Sequence, residues 1–344
     1  WGKQAWKPGA EYFLTVKFRL REKTPWADAG FVVAETQLPV AALPSEEKAA
    51  STAPVKVSQN GADWTASAGG STITVDGKTG WLKSFTMHGR ESLAAPLRPN
   101  FWRVPTDNDL GWQQPKLRIA EWKDAVGKAT LTSLTGETTD EGGRITASLA
   151  LPFKSASTTL TYTLRSDGSL KVEMTLDLGG DKGTPELPRV GVEFALPGSW
   201  SHVEWFGRGP QENYRDRKTG AFVGRYTSTV NDWITPYVRP QENGNRTDLR
   251  WLKLTNASGT GLLVQSDGAP FGATAWPYTQ EDLETATHDH LLPHRDTITV
   301  NVDGFQIGVG GDTSWGLPVH DQYRLKDKGK YEFAVILRDA EASK

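Results

Sequence analysis

Three stretches of this 344-residue chain concentrate the residue types that bind or catalyse. The first is Arg98–Gly111 (RPNFWRVPTDNDLG). The second is Trp205–Arg225, containing GPQENYRDRKTG, with its continuation TPYVRPQENGNR at Thr235–Arg246. The third is Asn301–Trp315 (NVDGFQIGVGGDTSW). In the first, Asp107–Asn108–Asp109–Leu110–Gly111 opens like a calcium loop but lacks the further acidic ligands such a loop requires. A turn capped by Asp and Asn side chains is the plainer reading. In the second, Glu212, Arg215, Asp216 and Arg217 stand close together as paired charges that fix a loop, and Glu242–Asn243–Gly244 carries a turn signal. In the third, Trp315 follows glycines that let the backbone turn sharply. An indole face at a loop tip is costly to expose unless something covers it, and the C–H face of a sugar stacks well on such a ring. The plain alternative is a core tryptophan beneath a glycine turn. The chain has 14 tryptophans, and most of them are expected in the core.

Other candidates are weaker. His288, His290 and His294 form the single histidine cluster. Strand alternation would put His288 and His290 on one face, a geometry open to a metal pair, although a satisfied structural role is favoured and no metal site is assigned. The string GVGG at Gly308–Gly311 lacks the third glycine and the following helix of a dinucleotide fingerprint. The sequons at Asn245 and Asn256 read as chance matches. There is no cysteine, so disulfides, thiolate metal sites and cysteine nucleophiles are excluded. This leaves the compartment open between cytoplasm and periplasm. No signal peptide is visible, but the chain opens at Trp1 in the manner of a fragment.

The elements that must position these residues are strands. Tyr12, Leu14, Val16, Phe18 and Leu20 alternate with Phe13, Thr15, Lys17 and Arg19, which predicts a strand with a buried face. Phe31–Leu38 predicts a second. Further strands are expected at Ser71–Asp76 and Trp81–His88 around an Asp76–Gly77–Lys78 turn. Thr158–Arg165 and Ser169–Leu176 predict a hairpin around Ser166–Asp167–Gly168. Others are expected at Arg189–Leu196, Arg250–Asn256, Gly261–Gln265, Thr297–Val302, Phe305–Val309 and Tyr331–Leu337. Pro115–Val126 is the one expected helix, with proline at its start. Thirty-five glycines and 20 prolines suit many turns. No apolar run approaches the roughly 20 residues of a membrane span. A net charge of −2 with no basic block argues against a nucleic-acid partner. Many short strands and almost no helix mean an all-β sandwich or barrel. The small, charged, proline-flanked stretch 44–54 is the best linker. It separates 1–43, the last strands of a truncated sandwich, from a large antiparallel supersandwich over 55–344.

Together the three motifs resemble the C-terminal domain of the large bacterial β-galactosidases of the lactose-operon type, in order and spacing from about Asn100 to Leu337. Trp26–Val40 (WADAGFVVAETQLPV) resembles the end of the immunoglobulin-like domain that precedes it in the same enzymes. The resemblance implies a galactose-mutarotase-like supersandwich packed beside a (β/α) barrel that this chain lacks. That barrel would carry the two glutamates of a retaining glycosidase, which must sit about 5–5.5 Å apart. Glu212, Asp216 and Glu242 match family positions outside the catalytic pair, so no catalytic residue is assigned here. The resemblance also implies that Trp315 forms an aromatic wall against bound sugar and that the loop Gly111–Pro115, including Trp112 and Gln113, moves with substrate. It makes Asp107, Asp109, Glu212, Arg215 and Asp216 candidates for fixing loops or meeting the barrel. No cofactor is expected in this chain, since the magnesium and sodium of the family bind mainly outside this region. The implied partners are a galactoside, the barrel of the same polypeptide and further copies of the full enzyme.

The reading that follows is the non-catalytic C-terminal part of a β-galactosidase, inactive alone. The alternative is a stand-alone carbohydrate-binding or structural module. A mutarotase-like epimerase would need a histidine acid and a glutamate base aimed at one ring, and no such pair appears at a recognisable spacing.

Overall fold

The computed structural model describes residues 6–42, 54–111, 118–180, 184–313 and 316–343. The chain divides into two compact units, 1–50 and 51–344. The expected linker falls almost wholly outside the described residues.

In the first unit, β1 (Glu11–Arg19) pairs antiparallel with β2 (Val32–Ala42). The alternation seen in the sequence holds. Leu14 lies opposite Leu38 and Phe18 opposite Ala34, while Lys17 faces Glu35 on the other side and pairs with it at 2.9 Å. Pro39 sits beside a register shift, where a missing N–H disturbs the ladder least. The expected burial is not found. Tyr12, Leu14 and Val16 are half-buried and Phe18 is 63% exposed. A two-stranded ribbon has no second layer to cover its apolar face.

Among the described residues, the second unit has 19 strands. They begin with β3 (Lys56–Asn60), β4 (Asp63–Ala68), β5 (Ser71–Val75), β6 (Leu82–Met87), β7 (Arg90–Glu91) and β8 (Ala95–Asn100). Next come β9 (Thr130–Thr138), β10 (Gly143–Ala150), β11 (Ser157–Leu164), β12 (Leu170–Asp177), β13 (Arg189–Pro197), β14 (His202–Gly209) and β15 (Phe222–Thr229). The last are β16 (Arg246–Leu249), β17 (Trp251–Thr255), β18 (Gly261–Ser266), β19 (Phe271–Trp276), β20 (Thr297–Gln306) and β21 (Lys330–Asp339). They form two antiparallel sheets. The nine-stranded sheet runs β15-β14-β17-β18-β21-β12-β11-β10-β9. The ten-stranded sheet runs β16-β19-β20-β13-β8-β6-β5-β4-β3, with β7 paired to β6. Inward residues of both enter one hydrophobic cluster, among them Phe85, Leu97, Val192 and Val300 from the larger sheet and Leu160, Val172, Leu252 and Leu337 from the smaller. A large double-sheet sandwich is the expected fold class.

The predicted hairpin is β11–β12, in register from Ser157 opposite Asp177 to Leu164 opposite Leu170. Gly168 takes φ 82° at its turn, a conformation glycine adopts without strain. Two expectations are corrected. Thr297–Val302 and Phe305–Val309 are not separate strands but one, β20, which ends at Gln306. Val190 pairs with Phe305 and Gly191 with Asp303, so Gly304 is absorbed as a bulge. Nor is 115–126 a helix where it is described: Arg118–Trp122 makes only a 3-10 turn. Packing decides this segment. Trp122 is fully buried against Phe101 and Phe153, and its Nε1 donates to the carbonyl of Pro185 at 3.2 Å.

Candidate functional site

The three chemistry-bearing motifs, far apart in sequence, meet at the end of β20. Beyond Gln306 the chain leaves the sheet with a glycine-rich backbone; Ile307 N donates to Pro188 O at 2.9 Å and Gly308 N to Tyr323 O at 3.0 Å, and the remaining polar groups need side-chain partners. Arg103, 1% exposed, supplies them on the carbonyl side. Its Nη1 donates to Ile307 O at 2.7 Å and its Nη2 to Gly308 O at 2.8 Å. The same Nη2 reaches both oxygens of buried Asp109, at 2.9 and 3.0 Å. Asp109 also accepts from Thr106 N at 2.9 Å, which closes the first turn of α1 (Asp107–Gly111). Asn108 Nδ2 donates to Val309 O at 2.8 Å. On the amide side, Asp216 Oδ2 accepts from Val309 N at 2.9 Å and Gly310 N at 2.7 Å.

Glycine is needed for this grip. A Cβ on Gly308 would lie 2.6 Å from Asp216 Oδ2. Gly308→Ala is expected to push Asp216 off the loop and cost about 1–3 kcal/mol, the usual penalty for overpacking. Urea unfolding of the variant checks this, and a loss below about 0.5 kcal/mol would mean that the carboxylate has room to move.

The other sequence candidates are placed differently. Asp107 faces Gln241, its N donating to Gln241 Oε1 at 3.0 Å and its Oδ2 accepting from Gln241 Nε2 at 2.9 Å. Glu212 accepts from Tyr237 Oη, from Gly244 N at 2.7 Å and from Arg217 Nη2 at 2.6 Å. Burial, and then the Glu212 carboxylate beside it, hold the Tyr237 phenol above its ordinary pKa. Asp107 and Glu212 thus share the 235–246 segment as partner, while Asp109 and Asp216 meet at the glycine loop. Arg215 stands apart and donates to Gln322 O at 3.3 Å. Gly111 ends α1. Trp112, Gln113 and Trp315 lie outside the described residues. The residues flanking 314–315 are nevertheless drawn together. Asp312 Oδ1 pairs with His320 Nε2 at 2.7 Å, and this bond raises the pKa of that histidine. A Cβ on Gly311 would lie 3.0 Å from Leu317 O, and one on Gly316 would lie 3.7 Å from Gly111 O. The residue after Trp315 and the last residue of α1 are therefore neighbours.

His288 and His290 are not on one face of a strand. His288 precedes a 3-10 turn at Asp289–Leu291 and His290 lies within it, both exposed, with rings 5.6 Å apart. The hydrogen bond from Asp289 N to Val238 O ties this turn to a neighbouring loop instead of to a sheet. Among the described residues, no group of three or more His, Cys, Asp or Glu is placed to hold a metal ion.

A buried charge cluster beneath the loop escaped sequence reasoning. Arg189, fully buried, donates from Nη2 to Glu242 Oε1 at 2.8 Å, and its Nε lies 3.0 Å from Asp303 Oδ1. Gln306 Nε2 donates to the same Glu242 oxygen at 3.1 Å. Asn100, Gly191, Asp303 and Gly272 form one cross-strand row, and a Cβ on Gly191 would lie 2.3 Å from Asp303 Oδ1. Burial raises both carboxyls. Asp303 is pushed up to about 7, with the Glu242 charge adding to the effect against the pull of Arg189. Neither acid reaches solvent, so neither can transfer a proton to a ligand. The available signal was alternation: in TVNVD the polar residues share the face away from the apolar core, and here that face is covered.

Two family models match this chain. One described as β-galactosidase small chain matches residues 67–337, and one described as β-galactosidase domain 4 matches residues 1–41. A β-galactosidase of Priestia megaterium is 39% identical over 331 residues, covering 95% of this chain and 31% of the relative. One of Halalkalibacterium halodurans is 34% identical, covering 97% of this chain and 33% of the relative. The chain thus spans about a third of the length of these relatives. Among solved structures, a galactose 1-epimerase from Lactobacillus acidophilus NCFM superposes with a TM-score of 0.50 at 9% identity, over 96% of this chain and all of that one. That likeness concerns the fold alone. With the small-chain model spanning most of its length, this chain belongs to the β-galactosidase small-chain family.

Proposed function

We propose that this chain is the non-catalytic C-terminal part of a longer, retaining β-galactosidase acting on terminal β-D-galactosides such as lactose. It contributes the aromatic wall Trp315 and the adjoining 111–115 segment to an active site whose two glutamates lie in a (β/α) barrel outside this sequence. The observation that carries this reading is the convergence at the glycine loop. Arg103, Asn108 and Asp216 hold its backbone from both sides, and Gly316 lies against Gly111. A rigid base of this kind is what a loop needs to present one flat ring in a fixed place. The acids of the site are committed elsewhere: Asp109 to Arg103, Asp216 to two amides, Glu212 to Tyr237, Arg217 and Gly244, and Glu242 to Arg189. A retaining pair must instead face a sugar about 5–5.5 Å apart. The partners of this reading are a galactoside, the barrel of the same polypeptide and further copies of the whole enzyme. It draws no metal chemistry from this chain.

The test is hydrolysis of a chromogenic aryl β-galactoside by this chain and by the longer polypeptide that contains it. Turnover by the longer protein alone supports the reading, whereas turnover by this chain alone would mean that it holds its own catalytic pair. In the longer enzyme, Trp315→Ala is expected to raise KM about tenfold or more with a smaller change in kcat. Stacking on an indole is worth on the order of 1 kcal/mol beyond the area it buries. An unchanged KM for lactose would remove Trp315 from the sugar site.

A further inference from the structure

We propose that the cavity lined by α2 (Val230–Trp233), α3 (Gln280–Thr285) and the loops that follow them binds a neutral pyranoside. It encloses about 580 Å3, within the roughly 300–1,000 Å3 that ligand pockets span. Its floor is apolar and aromatic, from Ile234, Tyr237, Tyr278, Leu283 and Leu292. Val104, Trp276, Tyr278 and Leu283 form a hydrophobic cluster of their own, with Ile234 and Leu292 packed against it. Tyr278 stacks on Trp276 with ring planes 22° apart, and Trp276 Nε1 donates to Asn243 O at 3.0 Å. Thr229 caps α2, Thr279 and Asp282 cap α3 reciprocally, and Arg295 holds Asp282 with two bonds of 2.6 Å. Walls fixed in this way lose little freedom when a ligand enters.

The polar groups select the ligand. Tyr278 is 4% exposed and its Oη accepts from Asn243 Nδ2 at 3.4 Å, while among the described residues nothing accepts its own proton. Burial pushes this phenol up to about 12, so it stays a donor at neutral pH. On the rim, Asp232 Oδ2 accepts from Thr229 Oγ1 at 2.7 Å and Asp289 Oδ1 from His290 N at 2.8 Å. The second oxygen of each carboxylate is left to accept from a ligand. Among the described lining residues there is no lysine or arginine, so an anion would meet two like charges and no counter-charge. A cation would answer the acids but not the Tyr278 donor. A pyranoside brings hydroxyl donors for the carboxylates, an oxygen for the phenol and a C–H face for the rings, with no charge. The cavity would bind it whether or not Trp315 faces the catalytic centre.

The experiment is a titration of this chain, deuterated and 15N-labelled, with methyl β-D-galactopyranoside, followed by amide chemical shifts. Saturating shifts confined to residues 231–243 and 278–294 are expected, with a Kd of about 1–10 mM. Galacturonate, the same ring with a carboxylate, is expected to bind at least about tenfold more weakly. Leu292→Trp fills the cavity from a half-buried position and is expected to abolish binding. Tyr278→Phe keeps the stacked ring, loses the donor and is expected to raise Kd about fivefold. If Leu292→Trp does not fold, Tyr278→Phe carries the test. No saturation by about 50 mM pyranoside, shifts that map elsewhere, or undiminished binding by a folded variant would each overturn the proposal. So would shifts of the same amides by ethylammonium but not by the pyranoside, since the cavity would then select cations. Hydrolysis by the longer polypeptide reads the catalytic proposal separately, so either can fail alone.

Discussion

Arg189→Met is expected to destabilise this chain by about 3–5 kcal/mol near pH 8, the range for removing one partner of a buried ion pair. Glu242 and Asp303, both inaccessible to water, would lose the positive charge that pairs with both of them. The methionine side chain fills much of the same space, so the loss would report charge more than cavity. The effect should shrink as pH falls, because protonating the two acids removes the charge that Arg189 answers. Urea midpoints at pH 5 and pH 8 check this. A loss below about 1 kcal/mol at pH 8 would mean that other groups compensate the acids.

Asp303→Asn is expected to act in the opposite direction. In the unfolded chain an aspartate titrates near 3.9, whereas burial holds the folded Asp303 carboxyl up at about 7. Below about pH 4 both states carry the proton and the group is neutral to stability. Between about pH 4 and 7 the unfolded chain releases it and the folded chain keeps it, so stability falls as pH rises. The full loss, present above about pH 7, is on the order of 4 kcal/mol at most. Asn cannot titrate and leaves Arg189 and Glu242 as a neutral pair. The variant should therefore lose the slope between pH 4 and 7 and exceed the parent in stability at pH 8. Asp282 works the other way. Chiefly through its bond with Arg295, its carboxyl is held down to about 2, so its contribution fades as pH falls from about 4 toward 2. That acid limb should survive in Asp303→Asn. An unaltered slope between pH 4 and 7 would show that the proton resides on Glu242.

Local alternation made much of the sandwich legible. Ser157–Asp177 could be read as a hairpin because its strands and its Asp-Gly turn are contiguous. β20 was split in two because Asp303–Gly304 reads as a turn, and only its pairing with β13 shows a bulge. The site was legible as a set of motifs but not as an arrangement. Asp216 and Val309 are 93 residues apart, and nothing local says that one side chain serves the other's amide. The Arg189 cluster was hidden for a different reason. A polar residue alternating with valines is normally turned to water, and whether another segment covers that face is a tertiary fact. Asn100, Asn301 and Asp303 all sit on the covered face, and all are buried.

The position of β21 has a consequence for synthesis. Of the nine described strands of its sheet it is the last to be made, yet it lies in the middle, between β18 and β12. Translation delivers residues at roughly 5–20 per second. Until Lys330–Asp339 emerges, β9–β12 and the β14, β15, β17, β18 group remain separate half-sheets with facing unpaired edges. Open edges recruit other chains. A nascent polypeptide stalled before Lys330 is thus a candidate for chaperone capture, and a stop codon there should yield aggregate instead of folded protein.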